Sequence, residues 1–193
     1  MARIMRDSLL TLEAYARERP AMRAKVIEHK RLRKVEIGPA VTVHFEDELT
    51  IRYQIQEMLR AERIFEEQGI QDELDAYGPL VPDGRNFKAT MMLEYPDPDE
   101  RREWLERLIG IEDRTWLQVD GFERVWAIAD EDLDRETAEK TSSVHFLRFE
   151  LTPSMAAAFK AGAVVNMGID HEAYPFTVGV SPESRDALAK DLD

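Results

Sequence analysis

Residues 87–95, Phe87-Lys88-Ala89-Thr90-Met91-Met92-Leu93-Glu94-Tyr95, decide the fold. Alternation places Phe87, Ala89, Met91, Leu93 and Tyr95 on one side of an extended chain. The other side, Lys88, Thr90 and Glu94, is polar except for Met92, an intrusion that implies cover on that face too. The segment therefore reads as a central strand of a sheet covered by helices. Pro82-Asp83-Gly84 supplies turn chemistry before it. After it, Asp97-Pro98-Asp99-Glu100 is a helix start: a cap at Asp97, proline at the first helical position and an acid three residues past the cap. That helix turns Trp104, Leu105, Leu108 and Ile109 inward and stops at Gly110.

Working outward, residues 41–45 alternate, with Val41, Val43 and Phe45 on one face and Thr42 and His44 on the other. Residues 115–119 and 123–129 read as two strands of a hairpin turning at Asp120-Gly121. Residues 143–151 form a long strand, and residues 164–169 and 176–180 add edge strands. Helices are expected from Ser8 or Thr11 through Tyr15, again after Pro20 through Met22, Val26 and Ile27, over residues 51–65, and over residues 70–77 up to Gly78-Pro79. Thr152-Pro153 and Ser181-Pro182 open two more, the first closed by Gly162. Strand runs separated by unequal helices favour an α+β fold with a mostly antiparallel sheet. The 193 residues make one domain, 1–193.

Composition limits the chemistry. A hydrophobic content of 44% and a charged content of 34% are those of a globular protein, and no apolar run approaches the roughly 18 residues of a membrane span. The first residues lack the apolar core of a secretory signal, so a cytoplasmic location is expected. With no cysteine, disulfides, thiolate zinc sites, a cysteine nucleophile and self-ligated iron–sulfur clusters all drop out. The net charge of −13 argues against nucleic acid, whose affinity for proteins comes mostly from Lys and Arg at phosphates. The charge is uneven: residues 1–34 carry ten Lys and Arg against four Asp and Glu, while residues 35–193 form an acidic body with sixteen against thirty-five. The basic helical start is suited to docking on an acidic surface, with Lys30, Arg31, Arg33 and Lys34 as the docking run, although cations also suit a helix C-terminus.

The sharpest single candidate is Glu62. At about 100° per residue, Ile51, Ile55, Met58 and Phe65 share one line and Glu62 falls among them, with Gln54 on the border of that stripe. A buried carboxylate there is either ion-paired, with Arg148 the obvious partner, or serves as base, ligand or anchor for a cation. The ion pair is the favoured reading, because unpaired buried charge is rare. In residues 144–151, Val144, Phe146, Arg148 and Glu150 share one face, and His145, Leu147, Phe149 and Leu151 the other. His145 reads first as a hydrogen-bonded core histidine. Residues 168–175, expected as a loop, gather Asp170, His171 and Tyr174; Asp170 either orients His171 as a base or caps a helical turn. His44 and Glu46 share a strand face at metal-ligand spacing, but no third ligand accompanies them. No zincin, di-iron, nucleophile-elbow, Walker or dinucleotide motif occurs, so no cofactor and no metal are assigned and catalysis is left open.

Residues 52–59, Arg52-Tyr53-Gln54-Ile55-Gln56-Glu57-Met58-Leu59, then Glu73-Leu74 with residues 79–83, then residues 143–149 and 170–174, together resemble the bacterial family called domain of unknown function three-five-zero-one. The resemblance spans nearly the whole chain and is most specific in the Gln-Ile-Gln-Glu-Met block. It implies genes lying beside those for a rubrerythrin-like protein and an iron–sulfur oxidoreductase, hence a redox or oxidative-stress setting, and it implies no reaction. The leading expectation is an accessory module without chemistry of its own, partnered by an iron–sulfur or non-haem iron redox protein, with neither nucleic acid nor membrane involved and homo-oligomerisation open. The alternative is a small-molecule-binding protein or enzyme with a pocket at the helix–sheet junction built from Gln54, Glu57, Glu62, His145, Arg148, His171 and Tyr174.

Overall fold

The computed structural model describes residues 4–131, 135, 137 and 139–193. Regular structure begins with α1 (Leu12–Arg31), capped by the Thr11 hydroxyl, which accepts from the Ala14 N–H. The sequence suggests a break at Pro20, but α1 runs through it. Pro20 is exposed, so the carbonyl it leaves unpaired faces water, and buried Tyr15 and Val26 pin the helix on either side. Ser8 lies in a short 3-10 turn and caps nothing.

The basic run spans the end of α1, as expected, with Lys30 and Arg31 in its last turn. Lys34 opens β1 (Lys34–Ile37), a strand missed in the sequence, whose Val35 and Ile37 point inward. A turn at Gly38, with φ of +68°, returns the chain into β2 (Val41–Glu46). The Asp47 side chain accepts from the Thr50 N–H and the Thr50 hydroxyl from the Asp47 N–H, a reciprocal cap that starts α2 (Glu48–Glu62) directly after β2. Arg63 turns into the left-handed region at φ 57° and stops α2 there, so the stripe expected over residues 51–65 is cut short. α3 (Glu67–Tyr77) follows and ends in a 3-10 turn at Gly78–Leu80.

β3 (Asn86–Leu93) is the strand read first, and α4 (Pro98–Arg107) starts at the Asp97 cap as expected. β4 (Thr115–Val119) pairs with β5 (Val125–Trp126) across a longer loop than a two-residue hairpin. The expected second arm is divided: β6 (Ile128–Ala129) leaves β4 and pairs with β7 (Val144–Glu150), and at the crossing the Ala127 N–H donates to the Thr115 carbonyl. α5 (Pro153–Lys160) starts at Thr152. β8 (Val165–His171) and β9 (Tyr174–Gly179) form a hairpin, so the region expected as a loop at residues 168–175 is strand, with Ile169 and Tyr174 inward. α6 (Pro182–Leu188) starts at Ser181.

Among the described residues all strand pairs are antiparallel, in two sheets of order β1-β2-β3-β7-β6 and β5-β4-β8-β9. β3 is thus central, as its apolar alternation requires. The sheets share one core, where Phe45, Phe87, Met91 and Phe149 of the first meet Leu117, Met167 and Ile169 of the second. On the outer face of the first sheet lie α1, α2 and α3, the last two knitted by an apolar cluster of Ile51, Ile55, Leu59, Ile70 and Leu74. The protein is a single α+β domain, and no helix among the described residues is long and apolar enough to cross a membrane.

Candidate functional site

The alternation that sends Val43, Phe45, Ala89 and Met91 into the core sends Thr42, His44 and Glu46 of β2, Thr90 and Met92 of β3, and Val144 and Phe146 of β7 toward the helix layer. His44 sits opposite Thr90, and Thr90 opposite Phe146, across three adjacent strands. The helices do not fill this face. Between them and the sheet is a cavity of about 280 Å³ with a polar side of Lys30, His44, Glu46, Gln54, Tyr77 and Thr90. Its apolar side is Ile51, Leu80, Met92, Val144 and Phe146.

Of the groups lining this cavity, His44 has a buried nitrogen without a partner, and Glu46 and Lys30 have no ion pair among the described residues. Glu46 is only 7% exposed; the Thr90 hydroxyl donates to its Oε1 at 2.8 Å, and no cation pairs with it among the described residues. Nδ1 of His44 is buried without a hydrogen bond. Burial pushes the imidazole below its usual pKa and Lys30 pushes the same way, while Glu46 and Glu94 oppose them. Lys30, half-buried in the last turn of α1, has no ion pair among the described residues.

A second chamber of about 460 Å³ adjoins the first through Leu80 and Phe146 and carries Lys88, Glu131 and Arg148. Arg148 grips Glu131 with two bonds of 2.7 Å and also pairs with Glu150. Burial lowers the Lys88 pKa, with Glu131 resisting.

The expected cluster does not converge. Glu62 is the last residue of α2 and is exposed, and Phe65 beyond it is 72% exposed, because the stripe stops at Arg63. Arg148 does face the helices, but its partners are Glu131 and Glu150 in place of Glu62. Glu57 lies on the seam between α1 and α2, where Arg19 binds it through two nitrogens at 2.7 and 2.8 Å and the Tyr15 hydroxyl donates at 2.5 Å. These contacts, Arg19 foremost, hold its pKa down to about 2 against the cost of burial. His171 donates from Nε2 to the Ile109 carbonyl at 3.1 Å and accepts the Ala173 N–H at Nδ1, which makes it a tie at the hairpin tip. The Tyr174 hydroxyl donates to Ile37 O and accepts from Ala40 N–H, both at 2.8 Å, bracing the β1–β2 turn. Only Gln54 of the seven lines the cavity.

His145 lies on the other face of the sheet, fully buried. Its Nδ1 meets Asp130 Oδ2 at 2.6 Å; its Nε2 meets the Thr141 hydroxyl at 3.0 Å and Ser142 O at 3.1 Å, with Glu112 Oε2 at 3.8 Å. Glu112, Asp130 and His145 bring ligand atoms within 4.8 Å of one another. The two carboxylates face opposite ring nitrogens, however, so an ion held by Nε2 would have Asp130 as an orienting group behind the ring. The arrangement is that of a hydrogen-bonded core histidine.

The basic run divides as well. Arg33 is 2% exposed, donates to the carbonyls of Phe45 and Glu46, each at 3.2 Å, and pairs with Asp191 and Asp47. Arg31 pairs with Glu28 at 3.0 Å and Lys34 with Glu36 at 2.6 Å. Lys30 turns to the cavity. Sequence reasoning considered His44 and Glu46 only as metal ligands; the available signal was their shared face with Thr90 and Met92 on a strand already read as covered.

No curated protein matches the chain. It is similar over 100% of its length, and 100% of the other chain, to a crystal structure described as a novel protein of unknown function from Burkholderia pseudomallei K96243, with 57% identity and a TM-score of 0.95. Residues 3–192 match the family described as protein of unknown function DUF3501, and the chain therefore belongs to that family.

Proposed function

We propose that this chain is a small-molecule-binding protein whose ligand occupies the cavity between the first sheet and α1, α2 and α3. The observation that carries the reading is Glu46: a carboxylate taken out of water with a single neutral hydrogen bond and no counter-charge among the described residues. Such a group costs several kcal/mol unless something compensates it, and the open space beside it supports a ligand in that role. Unpartnered His44 Nδ1 on the same wall supports it too. Pockets with an apolar lining and a few converging polar groups are the usual form of small-molecule sites.

The accessory-module expectation, docking on an iron–sulfur or rubrerythrin-like partner through Lys30, Arg31, Arg33 and Lys34, has less to rest on. Arg33 is inside the protein, and Arg31 and Lys34 are already paired. The test of the ligand reading is a fragment panel followed by ¹H–¹⁵N spectra of the imidazoles. Saturable shifts of the His44 signals, with His145 unmoved, are the expected result. A panel that never moves His44 selectively refutes the cavity as a ligand site.

A further inference from the structure

The cavity holds two uncompensated charges of opposite sign, and we infer that its ligand is a small zwitterion, an ammonium set against Glu46 and a carboxylate set toward Lys30, joined to an apolar side chain. The inference rests on the ligand-site reading above. Glu46 and Lys30 both line the space, yet no ion pair joins them and neither has another ionic partner among the described residues. Had they closed on each other, the site would be neutral and would ask for nothing. Left apart, each is stabilised by a ligand group of the opposite charge.

A ligand with one charge satisfies half of this. An amine leaves Lys30 without a counter-charge, and a simple acid leaves Glu46 without one. His44 stands where both charges act on its ring, in opposite directions, and its unpartnered Nδ1 offers one more hydrogen bond to the polar end of the ligand. A metal ion suits the site poorly, since His44 and Glu46 supply only two ligands and the Lys30 ammonium opposes a second positive charge. Ile51, Leu80, Met92, Val144 and Phe146 give the apolar part a wall free of polar atoms except for the backbone. The volume, about 280 Å³, falls just below the roughly 300–1,000 Å³ of drug-sized pockets, which points to a ligand no larger than an apolar α-amino acid.

Calorimetric titration with L-leucine, L-methionine and L-phenylalanine tests this, beside 4-methylpentanoate, which lacks the ammonium, and 3-methylbutylamine, which lacks the carboxylate. At least one amino acid should bind about ten-fold or more tightly than either analogue. Glu46→Gln should remove that advantage and leave 4-methylpentanoate unaffected; Lys30→Met should remove it and spare 3-methylbutylamine. The His44 imidazole signals of the unaltered protein, followed in the same titrations, give a readout that does not depend on either variant folding. Equal affinity for leucine and 4-methylpentanoate overturns the zwitterion while the cavity stands as a ligand site. Silence of His44 toward all five compounds overturns the zwitterion as well, and silence toward the fragment panel overturns the site itself.

Discussion

Arg33→Met removes the most deeply buried cation described above, and its consequences follow from the contacts. The guanidinium donates to the carbonyls of Phe45 and Glu46 and, at 3.5 Å, to that of Ala187; it pairs with Asp191 and, at 3.5 Å, with Asp47. Methionine fills much of the volume but leaves two partly buried carboxylates facing each other and three carbonyls short of a donor. Breaking a buried charge network from one side costs about 3–5 kcal/mol, against a total of roughly 5–15 kcal/mol for a domain. Urea denaturation should therefore show a large fall in midpoint. Arg31→Met, two residues away on the surface, should change stability by less than about 0.5 kcal/mol.

The deficit should also depend on pH. Burial already raises the Asp191 pKa, with Arg33 holding it back, so losing Arg33 lifts it further. Burial pushes Asp47 up as well, but Arg33, the Thr50 N–H and His29 together leave it below its usual value, and that balance weakens in the variant. A carboxylate whose folded pKa lies above its unfolded pKa gives stability at low pH and loses it as pH rises through the folded value. The gap between variant and wild type should thus narrow from neutral pH to about pH 5. A loss below about 1 kcal/mol, or a gap that does not narrow on acidification, refutes the assignment of Arg33 as a buried structural cation.

Glu57 has the opposite sign. Its folded pKa, about 2, lies below the ordinary 4.5, so its contribution is complete above 4.5 and is lost as pH falls through about 2. Glu57→Gln should cost about 1 kcal/mol at neutral pH, discounted for its partial exposure, and should flatten the acid limb of the stability profile measured by denaturation between those two values. At Gly168, an added Cβ would stand 2.4 Å from the Trp116 ring and 2.8 Å from Phe176 O, beneath Arg124, whose guanidinium lies 4.1 Å above that ring. Gly168→Ala should cost about 1–3 kcal/mol and shift the tryptophan emission; unchanged emission and stability would mean that the indole does not lie flat on the strand.

The sequence disclosed what short-range physics controls. Asp97-Pro98, Thr152-Pro153 and Ser181-Pro182 start helices because cap and proline act within one turn, and β3 is central because its own side chains say so. A cavity lies at the helix–sheet junction, where the alternative expectation had set its pocket. The expected residues do not line it, Gln54 excepted, because Glu62 was judged by angular position on a helix assumed to reach Phe65, and a left-handed Arg63 ended that helix first. Likewise, the hairpin tip at Glu172-Ala173 was hidden by an acid, an imidazole and a phenol that looked like loop chemistry. Which of two polar faces holds an unpaired charge depends on what lies across the gap, and Lys30 and Glu46 are joined only by the tertiary fold.

The passage of residues 125–129 from β4 to β7 has a mechanical meaning. One short segment is hydrogen-bonded to both layers at once, so the layers cannot part without tearing it. The two sheets are therefore bound to open as one cooperative unit, and the Ala127 amide, stitched to Thr115 at the crossover, should be among the last protons in the molecule to trade with deuterated solvent.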